Sequence, residues 1–202
     1  MNVLLPRVGA ACGAVFAIVL FVAAGNGGGT FSGLRAVAGL AAITLAVPFI
    51  VYVGELLRRA EGATWLSTTA VAAGVTGIGL KLVSTFPELA IHREHLTKGT
   101  PLHDALQQVA DGATLICLYP LAVFCAATAI VALRRGVLPR WLGIGAAITA
   151  ASLAVNGAFL EASFVPALVL FLVWTLATSI HLLRAEARAS GAVVAKPRRL
   201  AG

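Results

Sequence analysis

A chain of 202 residues in which 59% are hydrophobic and only 11% charged, with a mean hydropathy of +0.95, is not a soluble globular domain; such domains carry about 25% charged residues. Its net charge of +7 invites a nucleic-acid reading, but the placement of the charge excludes one. With the N-terminus inside, Arg7, Arg58, Arg59, Arg134, Arg135, Arg140, Arg184, Arg188, Lys196, Arg198 and Arg199 fall on the inner side, and only Arg35, Lys81, Arg93 and Lys98 on the outer, which is the positive-inside bias of a multi-pass membrane protein.

Crossing a hydrocarbon core of about 30 Å takes roughly 20 apolar residues. Windows that meet this requirement lie at about 8–24, 34–55, 65–85, 110–133, 141–160 and 164–183. They predict an all-α, six-helix transmembrane bundle forming one domain over 1–184, with both termini cytoplasmic. A polar outer hairpin is expected between helices 3 and 4, and a basic cytoplasmic tail over 185–202.

The first window follows Pro6-Arg7 and is read as a retained span rather than a cleaved signal peptide. Its Gly9 and Gly13 have the small-xxx-small spacing that lets helices approach closely. Asn26-Gly27-Gly28-Gly29-Thr30 is an outer turn. Pro48 in the second window frees a backbone carbonyl, and Glu55-Leu56-Leu57-Arg58-Arg59 marks an inner boundary. Thr64 is placed to cap the third helix, and Trp65 suits the interface, where its ring is apolar and its N–H wet. Cys12, Cys117 and Cys125 all lie in apolar windows; Cys117 and Cys125 are about 12 Å apart along one helix, too far for a disulfide.

Leu57-Arg58-Arg59 aligns with Leu133-Arg134-Arg135 at an offset of 76 that also brings Trp65-Leu66 onto Trp141-Leu142. A duplicated helical hairpin, as in transporters, would explain this; so would convergence of basic inner turns that carry an interfacial Trp. The segment Leu133-Arg134-Arg135-Gly136-Val137-Leu138-Pro139-Arg140-Trp141-Leu142-Gly143 resembles a turn of the form Arg-x-Gly-x-Leu-Pro-x-Trp-Leu-Gly found in a group of uncharacterised six-helix bacterial membrane proteins. The resemblance implies six helices in a bacterial inner membrane, and no activity. In the last window, which contains Pro166 and Trp174, His181 is expected to be structural. Lys196-Pro197-Arg198-Arg199 in the tail is expected to attract anionic lipid.

Chemistry concentrates in the insert from Phe86 to Asp104, which holds three of the four histidines and three of the eight acids. The third helix is predicted to run past Pro87 to Lys98, with Gly99 ending it, Thr100 capping the next helix and Pro101 in its first turn. Glu88, His92 and His95 would then share one face of the first arm, and His103, Gln107 and Asp111 one face of the second. His92, His95 and His103 are candidate ligands for a divalent metal such as zinc, or a pH sensor. Against this, the histidine stripe lies roughly 140° from the apolar side of Phe86, Leu89, Ala90 and Leu96. If the arms pack through their apolar sides, His95 and His103 turn apart into water.

Lys81 is the sharper anomaly, because a charge inside a span costs about 2.5 to 3.5 kcal/mol at the bilayer centre. It lies about 24 Å from Trp65 along the helix, in the outer third. It is expected either to snorkel to the headgroups or to pair with Asp111 or Glu161, with Asn156 as a polar companion. Lys81, Asp111, Asn156 and Glu161, with Glu88 and His92 above them, would line an outward-facing vestibule. The reading that follows is a small-solute transporter or binding protein without a cofactor. The alternatives are an accessory or structural subunit and a metal-dependent membrane enzyme, the last weakened by the absence of a His-Glu-x-x-His motif. Expected partners are the bilayer, anionic lipid at the cytoplasmic face, and a second copy or another membrane protein; nucleic acid is not among them.

Overall fold

A computed structural model of the chain describes residues 4–25, 33–61, 65–158 and 165–194, and the side chains of all these except 4–6, 23–25, 33–37, 61, 92 and 189–194. The described residues form helices α1 (Leu4–Gly25), α2 (Gly33–Glu61), α3 (Trp65–Arg93), α4 (Pro101–Arg135), α5 (Arg140–Ala158) and α6 (Val165–Val194), with no strand. Helices are the expected outcome for such a chain, because hydrocarbon offers no hydrogen bonds and each segment must satisfy its own backbone. Stretches long and apolar enough to cross a membrane occur in five of them: Ala38–Ala60, Trp65–Ile91, Pro101–Arg135, Arg140–Ala158 and Val165–Arg188. The described apolar stretch of α1, Arg7–Val22, is shorter. The chain is a multi-pass membrane protein.

Two helix ends differ from the sequence reading. α3 stops at Arg93 rather than Lys98: Glu94 N–H makes the last i→i−4 bond, to Ala90 O at 3.0 Å, and Leu96 N–H then reaches back five residues to Ile91 O at 3.1 Å and closes the helix end. His95 takes the left-handed position of this stop, at φ 49°, a role glycine usually fills. Gly99, at φ 85°, turns the chain instead. Thr100 then caps α4 as expected, with extended backbone and its Oγ1 accepting from His103 N–H at 3.4 Å, and Pro101 opens the helix. At the other end of the chain, α6 runs through to Val194. Residues 185–194, expected in a solvated tail, are therefore helical, and Glu186 accepts a 2.6 Å hydrogen bond from the Tyr52 hydroxyl of α2.

The helices pack in chain order around a ring that α6 closes against α1, and α4 additionally touches α2. Aromatic rings fill the middle. Phe16 of α1 meets Phe171 of α6 edge-on at 6.4 Å, and Phe124 of α4 meets Trp174 of α6 edge-on at 6.0 Å, the geometry that ring quadrupoles favour. Trp174 also donates its indole N–H to Leu142 O at 3.1 Å, tying α6 to the first turn of α5.

Small residues set the helix separations. The Gly9 and Gly13 spacing does bring helices together: Gly13 lies against Phe49 of α2 and Ser179 of α6. On α3, a methyl group at Gly77 would stand 2.8 Å from Leu121 Cγ and 3.2 Å from the Leu121 amide nitrogen. The interior also collects hydroxyls (Ser67, Ser84, Thr114, Thr128, Thr149), whereas Val83, Phe86, Ile116 and Ile148 face outward. An apolar exterior over a partly polar interior suits a lipid surround.

Two stability predictions follow from the backbone. Gly77→Leu should destabilise the bundle by about 1 to 3 kcal/mol through overpacking. Gly79→Ala, whose methyl would meet nothing within 4 Å, should be neutral or stabilising by up to about 1 kcal/mol. Thermal melts in detergent that rank the two the other way would disprove the packing. His95→Gly should raise stability by about 0.5 to 1 kcal/mol by relieving the left-handed conformation, and the same melts would show it.

Candidate functional site: a polar seam between helices 3 and 4

α3 and α4 are antiparallel neighbours joined by the short turn Glu94–Thr100. A methyl group at Gly77 would stand 3.2 Å from the Leu121 amide nitrogen, so positions whose numbers sum to about 198 stand at the same height. Ser84 is then level with Thr114, and Lys81 with Cys117. The Lys81 side chain reaches about one helical turn towards Glu94–Thr100, where its Nζ donates to Thr114 Oγ1 at 3.0 Å, and Thr114 is buried.

On α4 the polar residues His103, Gln107, Asp111 and Thr114 recur at three- and four-residue steps, which places them on one stripe. All are half-buried or buried. Gln107 Nε2 donates to Asp111 Oδ1 at 3.1 Å, and His103 Nδ1 lies 3.1 Å from Asp104 Oδ1. α3 contributes Lys81, Ser84 and Glu88, with Ser84 buried and its hydroxyl donating to Lys81 O at 2.8 Å. Together these form a seam of polar groups that leads from the turn down to the Lys81 ammonium, which meets α4 at Thr114, about 4.5 Å along the helix axis from Asp111.

Of the two acids expected to pair with Lys81, Asp111 does not do so, and Glu161 is not among the described residues. The Lys81 ammonium meets a hydroxyl, and among the described residues it has no carboxylate partner. Reach explains the absence of Asp111, since the Lys81 backbone lies about 9 Å along the axis from the level of Asp111 and the side chain spans only the part of that distance that ends at Thr114. The expectation that His95 and His103 turn apart into water holds for only one of them. His95 is exposed in the turn, but the His103 side chain is only 13% exposed. The premise of that expectation fails as well, because the apolar sides of the two arms do not pack on each other. Phe86 is 71% exposed, with Leu102 and Val109 also outward. Helices in lipid present their apolar side outward, so the polar stripes are left to face the partner helix.

The remaining candidates are dispersed. Asn156 of α5 donates to Ser152 O, one turn back on its own helix, at 3.2 Å. Glu161 lies outside the described residues, as does the side chain of His92. Among the described residues, no three His, Cys, Asp or Glu side chains gather as a metal site. Cys12, Cys117 and Cys125 are free thiols, and Cys117 donates to Thr114 O.

Sequence reasoning missed two participants. Thr114 carries no charge to draw notice, although it follows Asp111 by one turn on the same stripe. Glu186 was placed beyond the last span, although it repeats the face of Thr175 and Ser179 at helical spacing. No family model, curated protein or solved structure matches the chain.

The Lys81–Thr114 contact can be measured directly. A double-mutant cycle of Lys81→Met and Thr114→Val should give a coupling of about 0.5 to 2 kcal/mol. Additive effects of the two substitutions would show that the pair does not form in the folded protein.

Proposed function

We propose that this protein binds or transports a small solute bearing an anionic group, with Lys81 as the recognition group at the base of the α3/α4 seam. The observation that carries the reading is the Lys81 ammonium, held within a membrane-crossing helix by one hydroxyl, with no carboxylate partner among the described residues. A cation retained at that cost inside a span is by default a functional group. A solute carboxylate or phosphate would supply the charge that the described residues do not. Asp111, Gln107 and Glu88 higher in the seam would select among solutes by hydrogen bonding and by repelling excess negative charge.

In this reading α1 is a sixth span, both termini are cytoplasmic, and the α3/α4 turn opens on the outer side. Clustering of Arg58, Arg59, Arg134, Arg135 and Arg140 at the opposite helix ends supports that orientation. The resemblance of the turn from Leu133 to Gly143 supports a bacterial inner membrane. A second reading, an accessory subunit, draws on one feature: the membrane window of α3 is only 28% buried, so its outward face could meet a partner helix as well as lipid.

Thermal shift of the purified protein with acetate, succinate, glutamate or inorganic phosphate tests the solute reading. Ligand at about ten times its Kd adds about 1.4 kcal/mol, enough to raise the melting temperature by a few degrees. Lys81→Met should express and fold normally and lose the shift, whereas exposed His95→Gln should keep it. A shift that survives in Lys81→Met removes the seam from consideration.

A further inference from the structure

At the basic boundary, well away from the seam, α2 and α3 enclose a groove of about 280 Å³ lined by Val51, Gly54, Glu55, Arg58, Ser67, Thr68 and Val71. At its wall α2 has no side chain at Gly54, and Val71 of α3 packs against the backbone there. Its walls divide by chemistry. Val51 and Val71 give it an apolar side, with Val51 exposed on the outer surface of the bundle. Arg58, Glu55 and the hydroxyl-bearing Ser67 and Thr68 give it a polar end. Trp65, the first residue of α3 and 74% exposed, stands at the same end and suits the level where headgroups meet hydrocarbon.

The charges at the polar end are fixed in place. Glu55 Oε2 accepts from Arg58 Nε at 2.7 Å and lies 2.7 Å from Arg58 Nη2, and Glu55 Oε1 accepts from Arg59 Nε at 3.0 Å. One carboxylate is thus shared by two guanidinium groups. A guanidinium has five N–H donors; Glu55 occupies one on Nε and one on Nη2 of Arg58, leaving three. Arg58 lines the groove, and Arg59 does not. An ion pair that holds a guanidinium in one orientation leaves it preorganised for a planar, multidentate contact with phosphate.

We propose that this groove is a specific site for one anionic phospholipid. The phosphate would sit on Arg58, the headgroup polar atoms beside Ser67 and Thr68, and an acyl chain along Val51 and Val71. The guanidinium groups of Arg58 and Arg59 repel the ammonium of phosphatidylethanolamine or phosphatidylcholine and favour phosphatidylglycerol, which carries none, and the apolar wall requires an attached chain, which free phosphate lacks. The site is independent of the solute seam, since it involves α2 and the other end of α3.

Native mass spectrometry of the full chain, released from micelles that contain equal phosphatidylglycerol, phosphatidylethanolamine and phosphatidylcholine, tests the assignment. The wild type should retain one phosphatidylglycerol at least about fivefold over the other two. Arg58→Gln should lower that retention about tenfold, and Arg59→Gln, the same charge change outside the groove, by less than about twofold. Thr68→Phe, which fills the groove from an exposed position and keeps both arginines, should lower it as much as Arg58→Gln. Far-UV circular dichroism confirms folding, and if Arg58→Gln does not fold, Thr68→Phe decides. Equal losses in Arg58→Gln and Arg59→Gln would overturn the site in favour of diffuse attraction. Equal retention of phosphatidylethanolamine, undiminished retention in Thr68→Phe, or displacement by about 10 mM inorganic phosphate would overturn it too.

Discussion

Everything in this structure answers to one constraint: a hydrocarbon surround cannot form hydrogen bonds. The chain meets it first with its backbone, by running as helices, and then with its side chains, by turning residues such as Val83, Phe86, Ile116 and Ile148 outward. The interior holds leucine, isoleucine and aromatic side chains, glycine and alanine at the crossings, and threonine and serine hydroxyls between helices. Glycines at positions such as 13 and 77 let neighbouring helices close in. The aromatic cluster of Phe16, Phe124, Phe171 and Trp174 then fills the space around which the ring is built.

The same constraint explains the seam. A lysine on the outward side of α3 would face lipid; on the inward side it meets α4, where its ammonium reaches the Thr114 hydroxyl. The stripe that continues to His103 gives α4 a polar edge along the tightest interface in the bundle. A run of polar groups along one interface, with an ammonium at its inner end, concentrates electrostatic cost in one place.

Much of this was legible in the sequence. Apolar windows located every helix, Thr100 and Pro101 gave the start of α4, and the arginine clusters gave the boundary between α2 and α3. The misreadings share a cause. A helical wheel establishes which residues share a face, but not whether that face meets a neighbour, water or lipid; packing of the hairpin through its apolar sides follows only if water surrounds it. Lys81 was recognised by its cost, whereas Thr114 emerged only from the register between two helices, which no single-helix periodicity contains. Likewise, the end of α6 was drawn where hydropathy falls, although helix formation does not stop with hydropathy, and the Tyr52–Glu186 hydrogen bond lies beyond that line.

The closure of the ring between α1 and α6 bears on biogenesis. Phe16 of the first helix finds Phe171 only in the last, so the centre of the bundle cannot be completed until the final segment has left the ribosome. Until then α1 and α2 offer one another partial cover, and the α3–α4 pair can assemble from neighbours in sequence, seam included. Assembly in the membrane would therefore proceed from a locally encoded hairpin to a late, long-range closure. During that interval the newly inserted helices would depend on surrounding lipid, or on a chaperone in the membrane, to shield the surfaces that α6 eventually covers.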